Sequence, residues 1–151
     1  MEKLSKYKEE KLDEIVDLFI EVFENEPWND NWPSKKKAKK YLNDIVNTPG
    51  FKGYLKFRED KLIGVLLGHV VQWWQGDEFF IKEFFVKKSA QGLGVGSEML
   101  NFLEVSLAQE DIETIILLTE NNAPAAKFYE QKEFRVSSHT TFLYKNIEKR
   151  G

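Results

Sequence analysis

Apolar residues recur along this chain at two distinct spacings, and the changes between them mark its elements. A short strand is expected around Leu4–Tyr7. Over Glu9–Glu24, Leu12, Ile15, Val16, Phe19, Val22 and Phe23 fall at three- and four-residue steps, which predicts an amphipathic helix. Its other face is acidic, with Glu10, Asp13, Glu14, Asp17, Glu21 and Glu24. A second helix is expected over Lys35–Asn47, capped by Ser34 and stopped by Thr48-Pro49-Gly50. Strand character then takes over. Phe51–Arg58 and Leu62–Trp74 read as an antiparallel hairpin turning at Glu59-Asp60-Lys61. A turn at Gln75-Gly76-Asp77 leads into a strand over Phe79–Val86, rich in aromatic and β-branched residues. The helical period returns at Leu100, Leu103 and Leu107, for a helix over about Gly96–Gln109. Thr114–Leu118 is a short apolar run of the buried-strand kind. Asn122 is placed to cap a last helix with Pro124 in its first turn, and a terminal strand is expected over about His139–Asn146. No internal repeat, linker or low-complexity segment interrupts this order.

The stretch from Glu83 to Ser97 carries the first chemical signal. Between the strand and the helix lie Gly92, Gly94 and Gly96 at alternate positions. Glycines there let the backbone turn its N–H groups inward and approach a ligand closely. The helix that follows adds its unpaired first amides and the positive end of its dipole. Such a turn suits phosphate or pyrophosphate, although many glycine-rich turns are only tight connections. Two phosphate motifs are excluded. A P-loop would end in Gly-Lys-Ser/Thr, whereas Gly96 is followed by Ser97-Glu98. The dinucleotide fingerprint runs G-x-G-x-x-G, whereas these glycines run G-x-G-x-G.

The pattern Gln91-x-x-Gly94-x-Gly96 resembles the acetyl-coenzyme A signature of the GNAT N-acetyltransferases, Gln/Arg-x-x-Gly-x-Gly/Ala. Asn122-Ala123-Pro124-Ala125-Ala126-Lys127-Phe128-Tyr129 and the residues to Phe134 resemble that family's second element, with Asn and Tyr seven apart. The order and spacing of the two are more specific than either alone. Glu133 departs from the pattern, standing where the family usually has Gly. The resemblance implies one GNAT domain over 1–151, an α/β fold. Its mixed, mostly antiparallel twisted sheet would have six or seven strands, flanked by about four helices. It also implies acetyl-CoA as cofactor, and homodimers are frequent in the family.

Composition narrows the surroundings. A chain of 151 residues with 42% apolar and 14% aromatic content is expected to bury an ordinary core, about 68–70% of its unfolded surface. A net charge of −3 argues against nucleic acid as a partner. With no cysteine and only two histidines, far apart in sequence, thiol nucleophiles and zinc-thiolate sites are excluded and no metal is expected. No apolar run approaches a membrane span and Met1–Lys6 has no signal core, so a cytoplasmic protein without membrane contact is expected.

Acetyl transfer needs a neutral amine, a polarised carbonyl and a proton for the departing thiolate. An alkylamine with a pKa near 10.4 arrives protonated, so a base is required. Glu83 is the candidate; the alternatives are a structural ion pair for Glu83, or Asp77 or Glu78 acting through water. His69 reads as a packed strand residue. By the resemblance, Tyr129 would be the acid for the thiolate. Amides of Phe84, Phe85 and Val86 would polarise the acetyl carbonyl. Backbone amides from Gln91, Gly92, Leu93, Gly94, Val95, Gly96 and Ser97 would hold the pyrophosphate, with Asn122 and Lys127 also on the cofactor. The lysines Lys35, Lys36, Lys37, Lys39 and Lys40 are either a solvated face or an attractor for this anion.

Trp28, Asp30 and Trp32 in the loop 25–33 read either as a core lid or as a wall of an acceptor site, and Trp73 with Asp77 near the second turn forms a second aromatic and acidic cluster. With Glu83 they would suit a cationic amine by carboxylate pairing and cation–π contact. The glycine turn is also similar to that of aminoglycoside- and polyamine-acetylating members of the family, so the resemblance implies a small, aminoglycoside- or polyamine-like acceptor. A peptide acetyltransferase with an open groove, and an acetyl-CoA-binding module without turnover, are the competing readings.

Overall fold

In a computed structural model that describes residues 1–148, the sheet follows chain order: β1 (Glu2–Lys6), β2 (Phe51–Arg58), β3 (Lys61–Val71), β4 (Glu78–Val86) and β5 (Thr114–Leu117). The first four strands are antiparallel neighbours and β5 joins β4 in parallel. The helices are α1 (Leu12–Phe23), α2 (Lys35–Val46), α3 (Val95–Ala108) and α4 (Pro124–Gln131). By contacts the chain divides into two units, Met1–Leu118, which holds the whole sheet, and Thr119–Gly151.

Local chemistry explains the larger unit's elements. Ser34 caps α2, its hydroxyl accepting from the Lys37 amide at 3.0 Å. Glu59 and Asp60 both take positive φ, the geometry a two-residue hairpin turn demands. The apolar stripe of α1 and the Ala38, Leu42, Ile45 stripe of α2 bury Leu55, Val65, Leu67 and Phe85 on one sheet face. Their acidic and basic faces meet in two exposed ion pairs, Asp13–Lys39 and Asp17–Lys35, both 2.8 Å. Such pairs register the helices more than they stabilise them. On the other face α3 lies close against β3: a Cβ on Gly64 would stand 2.6 Å from the Met99 sulfur.

Two expectations are corrected. The terminal strand over 139–146 is not formed, and the sheet has five strands among the described residues rather than six or seven. Thr140 to Tyr144 has strand composition, but a strand exists only through a partner's ladder, and Phe142, Leu143 and Tyr144 are all exposed. Asn122 does not cap α4. It sits at φ +63, one residue too early, and Ala123 is the N-cap with no side-chain bond. Pro124 does occupy the first turn.

The end of α4 explains the departure at Glu133. The Phe134 amide bonds to the Tyr129 carbonyl at 3.0 Å and the Glu133 amide to that of Glu130 at 3.1 Å, while Tyr129 and Phe134 rings pack at 5.3 Å. This is a Schellman end, and Glu133 takes its left-handed position at φ +70. A non-glycine residue there costs about 1 kcal/mol. Glu133→Gly is therefore expected to raise stability by about that amount, read as a higher urea midpoint at unchanged m-value.

Candidate functional site

Glu83 owes its place to a bulge. Along β3 and β4, Val65 faces Phe85 and Leu67 faces Glu83, but the next pair is Gly68 with Ile81, leaving Lys82 extra. In a regular strand, Ile81, Glu83 and Phe85 would share one face. The bulge sends Ile81 to the face that Gly68 shares with Gly64 and α3, and sends Glu83 and Phe85 to the α1–α2 face. Gly68 permits it, since a Cβ there would lie 2.4 Å from the Phe80 carbonyl oxygen.

On that face Glu83 meets an aromatic wall. Phe85 packs on Phe19 and Phe23 at 5.7 and 5.6 Å, Trp32 on Phe19 and Tyr41 at 5.3 and 5.4 Å, and Trp28 on Phe23 at 5.6 Å. The Tyr41 hydroxyl donates to Glu83 Oε2 at 2.5 Å. The loop bearing the tryptophans is anchored by bonds from the Asp30 amide to the Phe23 carbonyl, 2.7 Å, and from the Trp32 amide to Glu24 Oε2, 3.2 Å. Burial pushes the Glu83 carboxyl up to about 7, with the Asp30 charge adding to it and the Tyr41 bond and Lys82 opposing it. A part-buried carboxyl poised near neutrality and held by a tyrosine hydroxyl has the profile of a general base. Among the described residues it forms no ion pair with a lysine.

Trp28 and Trp32 thus pack on the core rings of the same sheet face, and the Asp30 charge acts on Glu83. Trp73 and Asp77 are exposed on the β3–β4 loop and make no ring contact or ion pair with that group among the described residues. His69 stacks on Phe80 at 5.7 Å, and burial lowers its pKa, as befits a packed strand residue. Tyr41, Phe19 and Phe23 were not among the candidates. Their helical spacing marks them only as core, and the Tyr41–Glu83 bond spans elements that no local pattern connects.

The other end of β4 opens toward an anion site. The ladder to β5 ends at Ile81 and Leu117, whereas β4 runs on to Val86. Gln91 Nε2 ties the following turn back to the Val86 carbonyl at 2.9 Å, so this side chain shapes the loop. Gly92 and Gly94 take φ of +79 and +84, and a Cβ on either would meet nothing within 4 Å. Gly94 is the N-cap of α3 without a side-chain cap, and the first helical bond runs from the Glu98 amide to the Gly94 carbonyl at 3.0 Å. The amides of Val95, Gly96 and Ser97 are therefore donors with no helical acceptor. Glu98 in this first turn would oppose an anion, but buried Lys56 holds it at 2.6 Å and also reaches Glu2 at 3.2 Å. Bare backbone over open space, orphan amides and a neutralised acid fit a diphosphate.

The sequence model of the Acetyltransferase (GNAT) family matches residues 12–134. The chain belongs to the GNAT acetyltransferase family. This GNAT protein is an acetyl-CoA-dependent acetyltransferase. No curated protein sequence matches it. Among solved structures it is similar to a possible acetyltransferase from Clostridium difficile 630, at TM-score 0.82 and 15% identity, covering 98% of this chain and 99% of that one. It is similar also to the aminoglycoside acetyltransferase meta-AAC0020 from an uncultured soil metagenomic sample, solved with sisomicin, at TM-score 0.74 and 18% identity over 97% of each chain. A predicted acetyltransferase from Clostridium acetobutylicum, solved with acetyl-CoA, gives 0.70 and 16% over 95% of this chain and 96% of that one. At these identities the likeness is one of fold.

The remaining GNAT candidates lie in the second unit. Tyr129 is on α4, its ring against Phe128 and Phe134, with Lys127 two positions earlier and Asn122 just ahead of the helix. None of the described helices is long and apolar enough to cross a membrane.

Proposed function

We propose that this acetyltransferase acts on a primary amine of a small cationic acceptor, aminoglycoside- or polyamine-like, by direct attack in a ternary complex. The observation that carries the reading is Glu83, a part-buried carboxyl held by the Tyr41 hydroxyl, whose ring packs on Phe19 and Trp32; burial pushes the carboxyl up to about 7, and the Asp30 charge adds to the shift. Rings and carboxylates attract an ammonium ion, and bringing that ion to Glu83 favours the ionised carboxylate that can take its proton. The sisomicin-bound neighbour of the same fold supports the acceptor class.

Acetyl-CoA, when bound, supplies the thioester acetyl group and a thiolate leaving group. The chain's own contributions are separable. Glu83 takes the proton of the acceptor ammonium, and Tyr129 is the proton donor on the leaving side. Amides of the Phe84–Val86 segment offer hydrogen bonds to developing negative charge. The Gly92–Ser97 backbone holds phosphate, and Asn122 and Lys127 are assigned to the cofactor.

The test is coenzyme A release with aminoglycosides, spermidine, diamines, amino acids and short peptides. A thiol dye reads it without protein background, since the chain has no cysteine. Turnover is expected with the polycationic amines and not with neutral amino acids. Turnover confined to peptides, or absent with every amine, overturns the reading.

A further inference from the structure

Among the described residues the hydroxyl of Tyr41 has one hydrogen-bond partner, Glu83. The ring is wedged between Phe19 and Trp32, so its packing role would be served equally by phenylalanine. Burial and the Glu83 charge hold the phenol well above the usual tyrosine range, which keeps it a proton donor at any working pH. We infer that Tyr41 is the positioning residue of the acceptor site: by holding Oε2 it fixes the carboxylate and leaves Oε1 to receive the acceptor's proton. The inference rests on Glu83 being the base.

The groups that face the Glu83 carboxyl make the consequence calculable in sign. The α2 helix presents Tyr41, the α1–α2 loop presents Asp30, and β4 itself presents Lys82; Phe19 of α1, against the Tyr41 ring, and Leu67 of β3, opposite Glu83 in the ladder, do not titrate. A hydrogen bond donated to a carboxylate favours its charged form. Removing the hydroxyl leaves burial and Asp30 opposed by Lys82 alone, so the carboxyl must hold its proton to higher pH. Tyr41→Phe keeps the ring and its packing, and the effect falls on the titration.

The experiment follows the protonated-carboxyl infrared band of the ligand-free protein, assigned as the band missing in Glu83→Gln, across pH 5 to 9. It is paired with kcat/KM profiles for spermidine and sisomicin as acceptors. In Tyr41→Phe the band's midpoint is expected to move to higher pH, and the acid limb of kcat/KM to move with it. A move of one pH unit lowers kcat/KM at pH 6 about tenfold and leaves the high-pH plateau far less affected. An unmoved midpoint in Tyr41→Phe, with the limb abolished in Glu83→Gln, overturns the role of Tyr41 and leaves Glu83 as the base. A limb that survives in Glu83→Gln overturns the base assignment, and the Tyr41 inference with it.

Discussion

Glu83→Gln lowers kcat/KM by about 10²–10⁴-fold at the pH optimum, the range a positioned general base contributes. Glutamine has the size of glutamate, and its carbonyl oxygen can still accept from the Tyr41 hydroxyl, so the aromatic wall keeps its geometry. What is lost is the capacity to take a proton. Stability separates this loss from misfolding. The folded-state pKa of Glu83, about 7, lies above its ordinary value of 4.5. Its contribution to stability is therefore fully present below about pH 4.5 and is lost as pH rises through 7. A permanently neutral glutamine escapes that loss. At pH 8 the variant is expected to unfold at a urea concentration equal to or above the wild type's, while being nearly inactive.

The second large effect falls on the other end of β4. Gly94→Val weakens acetyl-CoA binding about ten- to a hundredfold by titration calorimetry. Gly94 has φ +84, which costs an L-residue about 1–2 kcal/mol and a β-branched one more. No atom of the protein stands within 4 Å of its Cβ position, so the new side chain projects into open space beside the orphan amides of α3. One charge-assisted hydrogen bond lost there is worth about 1.5–3 kcal/mol, which sets the expected range. Glu83→Gln supplies the control, because its affinity for acetyl-CoA should stay within about twofold of wild type.

Much of this architecture is legible in the sequence because it is encoded over short spans. The stripes of α1 and α3, the Ser34 cap, the β2–β3 hairpin and the glycine turn each sit within a few residues of the chemistry that sets them. The candidacy of Glu83 as the base arises at the same short range, from its place just before the glycine turn. What the sequence hides depends on partners far along the chain. Nothing in Phe79–Val86 marks Lys82 as the bulged residue; that register needs Gly68, where a Cβ would collide with the Phe80 carbonyl oxygen across the ladder. Tyr41 reads as one more core position of α2 until it meets Glu83, 42 residues later. The segment 139–146 errs in the opposite direction, having strand composition without a ladder to join. Glu133 lies between the two cases: its departure from glycine is visible in the sequence, but the positive φ that makes it matter is not.

The most direct measurement is the pH dependence of kcat/KM for a polycationic amine, taken for wild type and Glu83→Gln between pH 5.5 and 9. If Glu83 is the base, the wild-type rate rises with pH through a midpoint near 7, and the variant lacks that limb. A Glu83→Gln enzyme that keeps both its rate and the limb near pH 7 would contradict the assignment and place the base elsewhere in the site.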